Sequence, residues 1–396
     1  MSKPLLHPDL SAGVHELRGA LTDLLGDVGA DVRRPQELAR RLSLDKSLAW
    51  KLSRIVSAGD PQDALQYLPG DAALAIVVRA VQDAGGSKSL RRRAEGAISR
   101  FREAVLQHLG DRSTLDLVVD GMPTEGGERL LASRKLAFRG NSGIWGVQAK
   151  ARFSTIFLAP NPDRHEMIDT VLVSGWVDFR RLREDARWVL FRLQSFTTHG
   201  EIPRDEPVDP LADPAGPMLM ADFCSASLPE IHASHESGTT VHELGNSTIG
   251  NSGSFTCVFG SISRAIGSRY AKADTDEGVF RTHVSAPVEN LQFDMLVHRD
   301  CAFALNQTVR TVGALSIEPT ELMDRDTLPI HVSRAELGRE PPVVQSGLYA
   351  RYGELTDRVF SRMGWDRREF VGLRYEITYP PFPSTVVVSF PLERQS

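Results

Sequence analysis

The spacing of apolar residues changes part way along the chain, and that change constrains the fold more than any other feature. Val14, Leu17, Leu21, Leu24 and Leu25 recur at intervals of three and four, the stripe of an amphipathic helix. Comparable stripes continue to about residue 110. "DAALAIVVRAVQDAGG" (71–86) is almost wholly apolar and predicts a buried helix, with Asp71 as N-cap and Gly85 as stop. A further helix over 88–109 places Leu90, Ala94, Ala97, Phe101, Val105 and Leu109 on one side, with Arg91, Arg92, Arg93, Arg100 and Arg102 around the rest. That basic face reads as solvated, with phosphate contact as the sharper alternative.

Beyond about residue 120 the segments acquire β-branched and aromatic strand character. These are "STIFLA" (154–159), "TVLVSGWV" (170–177), "WVLFRLQ" (188–194), "LQFDMLV" (291–297), "VGLRYEITY" (371–379) and "STVVVSF" (384–390). A helix is expected at 347–363, and the proline-rich stretch 199–217 predicts a linker or exposed loop. A chain of 396 residues exceeds one comfortable core. The expected fold class is α+β: an N-terminal all-α domain, then a larger β-rich α+β body. The expected divisions are 1–70, a helical connector and dimerisation region at 71–120, a β-rich domain at 121–205 and a C-terminal α+β domain at 206–396.

Charge divides in the same place. Residues 1–112 carry 17 Lys and Arg against 14 Asp and Glu, and the remainder 29 against 37. Any polyanion is therefore expected to meet the N-terminal part. Within it, "LARRLSLDKSLAWKLSRIV" (38–56) predicts two helices about a short turn. Pro35 suits the first turn of one, and the Asp45 carboxylate can cap the other. Leu48, Leu52 and Ile55 form one stripe of the second helix, and Ser47, Trp50, Lys51 and Arg54 a neighbouring one.

Leu38, Ala39, Leu42, Leu44, Leu48, Leu52 and Ile55 are spaced in a way that resembles the helix-turn-helix unit of bacterial transcriptional regulators, over roughly residues 35–56. Ser43 stands where many members of that class carry glycine. The resemblance implies that double-stranded DNA is the partner. Lys46, Ser47, Trp50 and Lys51 would then face the groove, and Arg40, Arg41 and Arg54 the phosphates. The apolar run at 72–81 and the isolated position of the head suggest a homodimer, and regulators built this way imply a body that senses a small-molecule effector or serves assembly. The alternatives are an enzyme with its site in the β-rich body and a structural or defence-associated interaction protein.

Catalytic signatures are absent from the sequence. "HRDCAFALN" (298–306) approximates a protein-kinase catalytic loop, but the asparagine spacing is wrong and the accompanying motifs are missing. His232 and His235 form an HxxH pair that could hold zinc with His242 as a third imidazole, but there is no HExxH spacing, and "TTVHEL" reads as a strand with His242 on one face, so surface or strand histidines are expected. "GNSG", at 140–143 and 250–253, reads as a turn. No catalytic residue, metal or cofactor is expected. Cys224, Cys257 and Cys301 form no CxxC pair, the longest apolar run is seven residues and the N-terminus has no signal-peptide pattern. The expectation is a cytoplasmic protein away from the membrane.

Overall fold

A computed structural model describes residues 7–121, 130–194, 205–213, 216–236, 239–272, 276–314, 326–339 and 341–395. The protein is α+β. The chain divides into two compact units, Met1–Ser133 and Arg134–Ser396.

The described part of the first unit is helical: α1 (Pro8–Asp27), α2 (Pro35–Arg41), α3 (Lys46–Ser57), α4 (Pro61–Leu65), α5 (Asp71–Asp83), α6 (Lys88–Leu109) and α7 (Arg112–Asp120). Their apolar stripes meet in one core. Leu17, Leu21 and Leu24 of α1, Leu38 of α2, Leu52 of α3, Val77 of α5 and Phe101 of α6 all belong to it. The boundary expected at residue 70 lies inside this unit, because α5 and α6 complete the same core as α1–α4. The run at 72–81 therefore gives no argument for a dimer: Leu74, Val77, Val78 and Val81 are buried within the unit, while Ile76 is exposed.

The chain continues into α8 (Leu130–Trp145), which the sequence reading missed. Its "GNSG" at 140–143 is helical rather than a turn. The Ser142 hydroxyl donates to the Phe138 carbonyl at 2.7 Å, a bond back to the preceding turn, and Asn141 Nδ2 donates to Phe382 O at 3.4 Å.

The second unit is built on a seven-stranded sheet in the order β11 (Ser333–Arg339), β12 (Phe370–Thr378), β9 (Val288–His298), β1 (Val147–Pro160), β2 (Met167–Arg181), β7 (Phe255–Ser268) and β4 (Glu206–Pro207). Every pair is antiparallel except β1 with β9. One face carries α9 (Tyr352–Met363), whose Tyr352, Leu355, Val359 and Phe360 pack with Phe153, Phe157 and Phe370 of the sheet. The other face meets two three-stranded sheets. One is β10 (Thr308–Gly313), β13 (Ser384–Pro391) and β8 (Glu277–Val284); the other is β3 (Val189–Gln194), β6 (Thr239–Leu244) and β5 (Ile231–Glu236). Cover on both faces explains why the central strands read as continuous apolar runs rather than alternating ones. The boundary expected near 205 also lies inside a unit, since β2 and β4 both pair with β7. Residues 205–213 of the expected linker include that edge strand; 199–204, 214 and 215 lie outside the described residues.

A cluster of polar side chains interrupts the apolar centre. Asp294 on β9 has Thr155 of β1 and Arg374 of β12 as its register neighbours. Arg374 grips the buried carboxylate with both arms, Nε to Oδ1 at 2.9 Å and Nη2 to Oδ2 at 2.7 Å. Tyr352 Oη donates to Asp294 Oδ2 at 2.7 Å and lies 2.6 Å from Thr155 Oγ1. Gln292 Nε2 adds a bond at 3.2 Å and is itself held by Ser346. Burial pushes the Asp294 carboxyl up, and Arg374 opposes that shift. Removing one partner of such a pair strands the other charge. Asp294→Ala is expected to lower the stability of the protein by about 3–5 kcal/mol in denaturant unfolding. A loss below about 1 kcal/mol, the scale of an exposed pair, would show that the pair does not anchor the sheet.

Candidate nucleic-acid interface

The turn between α2 and α3 is specified residue by residue. Leu42 ends α2, and Ser43 adopts a left-handed conformation with φ 51°. The Leu44 N–H reaches back to the Ala39 carbonyl at 2.9 Å, the long-range bond of a Schellman turn. Leu42 and Leu44 are both buried, so the turn is pinned from inside. Asp45 then caps α3: its Oδ1 accepts from the Ser47 N–H at 2.8 Å and the Leu48 N–H at 3.4 Å. The Ser47 hydroxyl adds a bond at 2.5 Å, and these contacts hold the Asp45 carboxyl below its usual range.

α3 buries Leu48, Ala49, Leu52 and Ile55. All seven residues named from the sequence, Arg40, Arg41, Lys46, Ser47, Trp50, Lys51 and Arg54, are exposed. Trp50 is not a core residue. It is 44% exposed, stands edge-on to Tyr67 at 5.4 Å between ring centroids and has the Arg54 guanidinium 5.4 Å from its ring. Ser47 is engaged in the cap, so its hydroxyl is less available to a ligand than the sequence suggested. Tyr67 was missed altogether, because its contact with Trp50 joins α3 to the segment after α4.

The electrostatics separate this face from the other basic one. Arg40, Arg41, Lys46, Lys51 and Arg54 have no ion-pair partner among the described residues, and α3 itself contains no acidic residue. On α6, Arg93 pairs with Asp23 at 2.6 Å, Arg100 pairs with Glu16, and Arg91 lies 3.7 Å from Glu95. Three of the α6 arginines are thus paired with α1 or within α6, while Arg92 and Arg102 have no ion-pair partner among the described residues, so that face is neutralised only in part. The α2–α3 cations keep their field.

The other patterns do not assemble into sites. His298 of "HRDCAFALN" ends β9, where Nδ1 accepts from the Asp300 N–H at 3.1 Å and Nε2 lies 3.1 Å from Glu369, a structural corner. His232 is opposite Glu243 in the β5–β6 ladder and His242 opposite Ala233, so the two imidazoles point to opposite faces. His242 is buried and stacked on Phe191 at 4.4 Å; the His235 side chain lies outside the described residues. Among the described residues no helix is long and apolar enough to cross a membrane. The chain matches no protein-family model, and no curated protein is significantly similar to it.

A non-glycine residue in the left-handed region carries a steric cost of about 1–2 kcal/mol that glycine avoids. Ser43→Gly is therefore expected to raise the thermal midpoint, whereas Asp45→Ala should cost about 1 kcal/mol through the lost cap. A Ser43→Gly variant that melts clearly below the parent would refute the turn geometry.

Proposed function

We propose that the protein is a cytoplasmic DNA-binding transcriptional regulator, in which α2 and α3 act as a helix-turn-helix and the second unit senses an effector or serves assembly. The observation that carries this reading is the unpaired cationic face of α3, flanked by Arg40 and Arg41 of α2, in a unit whose other basic helix is partly neutralised. Unpaired exposed cations beside a short rigid turn suit a polyanion, because each phosphate contact releases a condensed counterion and gains free energy from it.

In this arrangement α3 enters the major groove by its first turns, with Lys46, Trp50 and Lys51 nearest the base edges. Trp50 offers an apolar face to a thymine methyl and one N–H donor. Arg40, Arg41 and Arg54 engage phosphates and set the register of the unit on the duplex. Two copies of the chain would place their α3 helices about 34 Å apart on one face of the DNA and read an inverted repeat.

The full-length protein is expected to bind duplex DNA with an affinity that falls steeply with salt. Replacing Arg40 and Arg41 with Ala should reduce the log–log salt slope by about 0.9 for each phosphate contact removed, and weaken binding to all sequences alike. Trp50→Ala should instead cost about 1–3 kcal/mol on a preferred sequence and little on a non-specific one. Its midpoint of unfolding should fall far less than for a core tryptophan, whose truncation costs about 3–5 kcal/mol. An Arg40/Arg41 double variant that binds as the parent does at every salt concentration would exclude this face as the contact.

A further inference from the structure

α1 and α6 lie antiparallel, and their cross-helix polar contacts recur in register. Asp23 meets Arg93 at 2.6 Å, Glu16 meets Arg100 at 3.0 Å and Asp9 meets His108 at 3.0 Å. Each step along either helix is about two turns, so the three contacts fall on one seam. Gly13 permits the close approach of the helices, since a Cβ there would lie 3.3 Å from Phe101 Cδ2. The first two contacts match a carboxylate with a guanidinium, which brings a permanent charge and several donors. The third departs from the pattern. An imidazole stands where the seam elsewhere has arginine, and it offers the carboxylate a single ring nitrogen.

A second imidazole meets the same carboxylate. His7 precedes α1 and caps it, its Nδ1 accepting from the Asp9 N–H at 3.4 Å. This position lays its ring on that of His108, with 3.8 Å between centroids and 19° between planes. Asp9 Oδ2 thus lies 3.5 Å from His7 Nδ1 and 3.0 Å from His108 Nε2. One donor atom from each of the three side chains lies within 4.8 Å of the other two. Donors bonded to a tetrahedral zinc ion at about 2.0–2.2 Å stand about 3.3–3.6 Å apart. Both contacts of Asp9 are near that spacing, and His7, being exposed, is free to turn and close the third side. No other histidine, cysteine and carboxylate side chains gather in this way among the described residues.

We propose that His7, Asp9 and His108 bind one zinc ion, which staples the start of α1 to the last turn of α6. Two imidazoles and a carboxylate suit zinc, whereas magnesium and calcium take oxygen ligands. The ion supplies beside Asp9 the positive charge that Arg93 and Arg100 supply beside Asp23 and Glu16. His7 and Asp9 are exposed and His108 is half-buried, so water can reach the remaining coordination position. Asp9 and His108 are 99 residues apart in the chain, so the donors are gathered only by the fold, and an ion held by them stabilises it. The inference concerns one end of the α1–α6 pair and does not depend on DNA binding by α3.

The test uses the full-length protein, treated with a chelator and dialysed, then titrated with zinc chloride by calorimetry and melted with and without the ion. Binding is expected to saturate at one zinc per chain and to raise the thermal midpoint. Magnesium chloride at the same concentration should leave the midpoint unchanged. His108→Phe keeps a ring against His7 but removes the donor nitrogens, and it should weaken zinc binding at least tenfold. His7→Ala, at an exposed position before the helix, should do the same, and it decides the matter if His108→Phe does not fold. The Arg40/Arg41 double variant should bind zinc as the parent does, which separates this site from the α2–α3 face. A parent that binds no zinc, a midpoint that magnesium raises as much as zinc, or zinc binding unchanged in His108→Phe or His7→Ala overturns the proposal.

Discussion

The buried pair of Asp294 and Arg374 is the contact on which the second unit depends. Its two parallel hydrogen bonds tie β9 to β12, and Tyr352 extends the same cluster to Thr155 on β1 and to the start of α9. One carboxylate thereby sets the register of three adjacent strands and the seat of the helix above them. A slip of one residue would turn Asp294 toward the opposite face, away from Tyr352, so apolar packing and ion pairing favour the same register.

That arrangement also decides where chemistry can occur. With α9 on one face of the sheet and smaller sheets on the other, the central side chains are sealed, and a fully partnered Asp294 is no general acid. Arg152 differs because its Nε and Nη1 are buried with no hydrogen-bond partner. The same contrast orders the first unit. The arginines of α6 that reach α1 are held by Glu16 and Asp23 and help to pack the unit, whereas those of α2 and α3 hold nothing.

Much of the first unit was legible in the sequence. The helix over 88–109 matches α6, and Asp45 caps α3 as its position before "KSLAWKLS" implied. The exposed position of Trp50 followed from the stripe of Leu48, Leu52 and Ile55. The strands containing "STIFLA" and "STVVVSF" were legible because β-branched runs are locally distinctive. β7 was not, since "FTCVFGSISRAIGS" alternates large side chains with glycine and serine and owes its strand conformation to pairing with β2. Gly260 is small there because Val208 and Met220 pack against it. α8 was hidden by its "GNSG", whose local turn preference is overridden by the helix around it. The setting of Arg152 was not legible in the sequence, because Trp176 and Phe259 are brought against its guanidinium by the fold alone.

The central claim is that α3 reads duplex DNA. Selection from a pool of random duplexes by the full-length protein, with sequencing of what is retained, tests it most directly. The account predicts enrichment of a common short sequence, spanning the few base pairs that the first turns of one recognition helix can reach. Failure to retain duplex DNA above background even at low salt, where phosphate contacts are strongest, would contradict it.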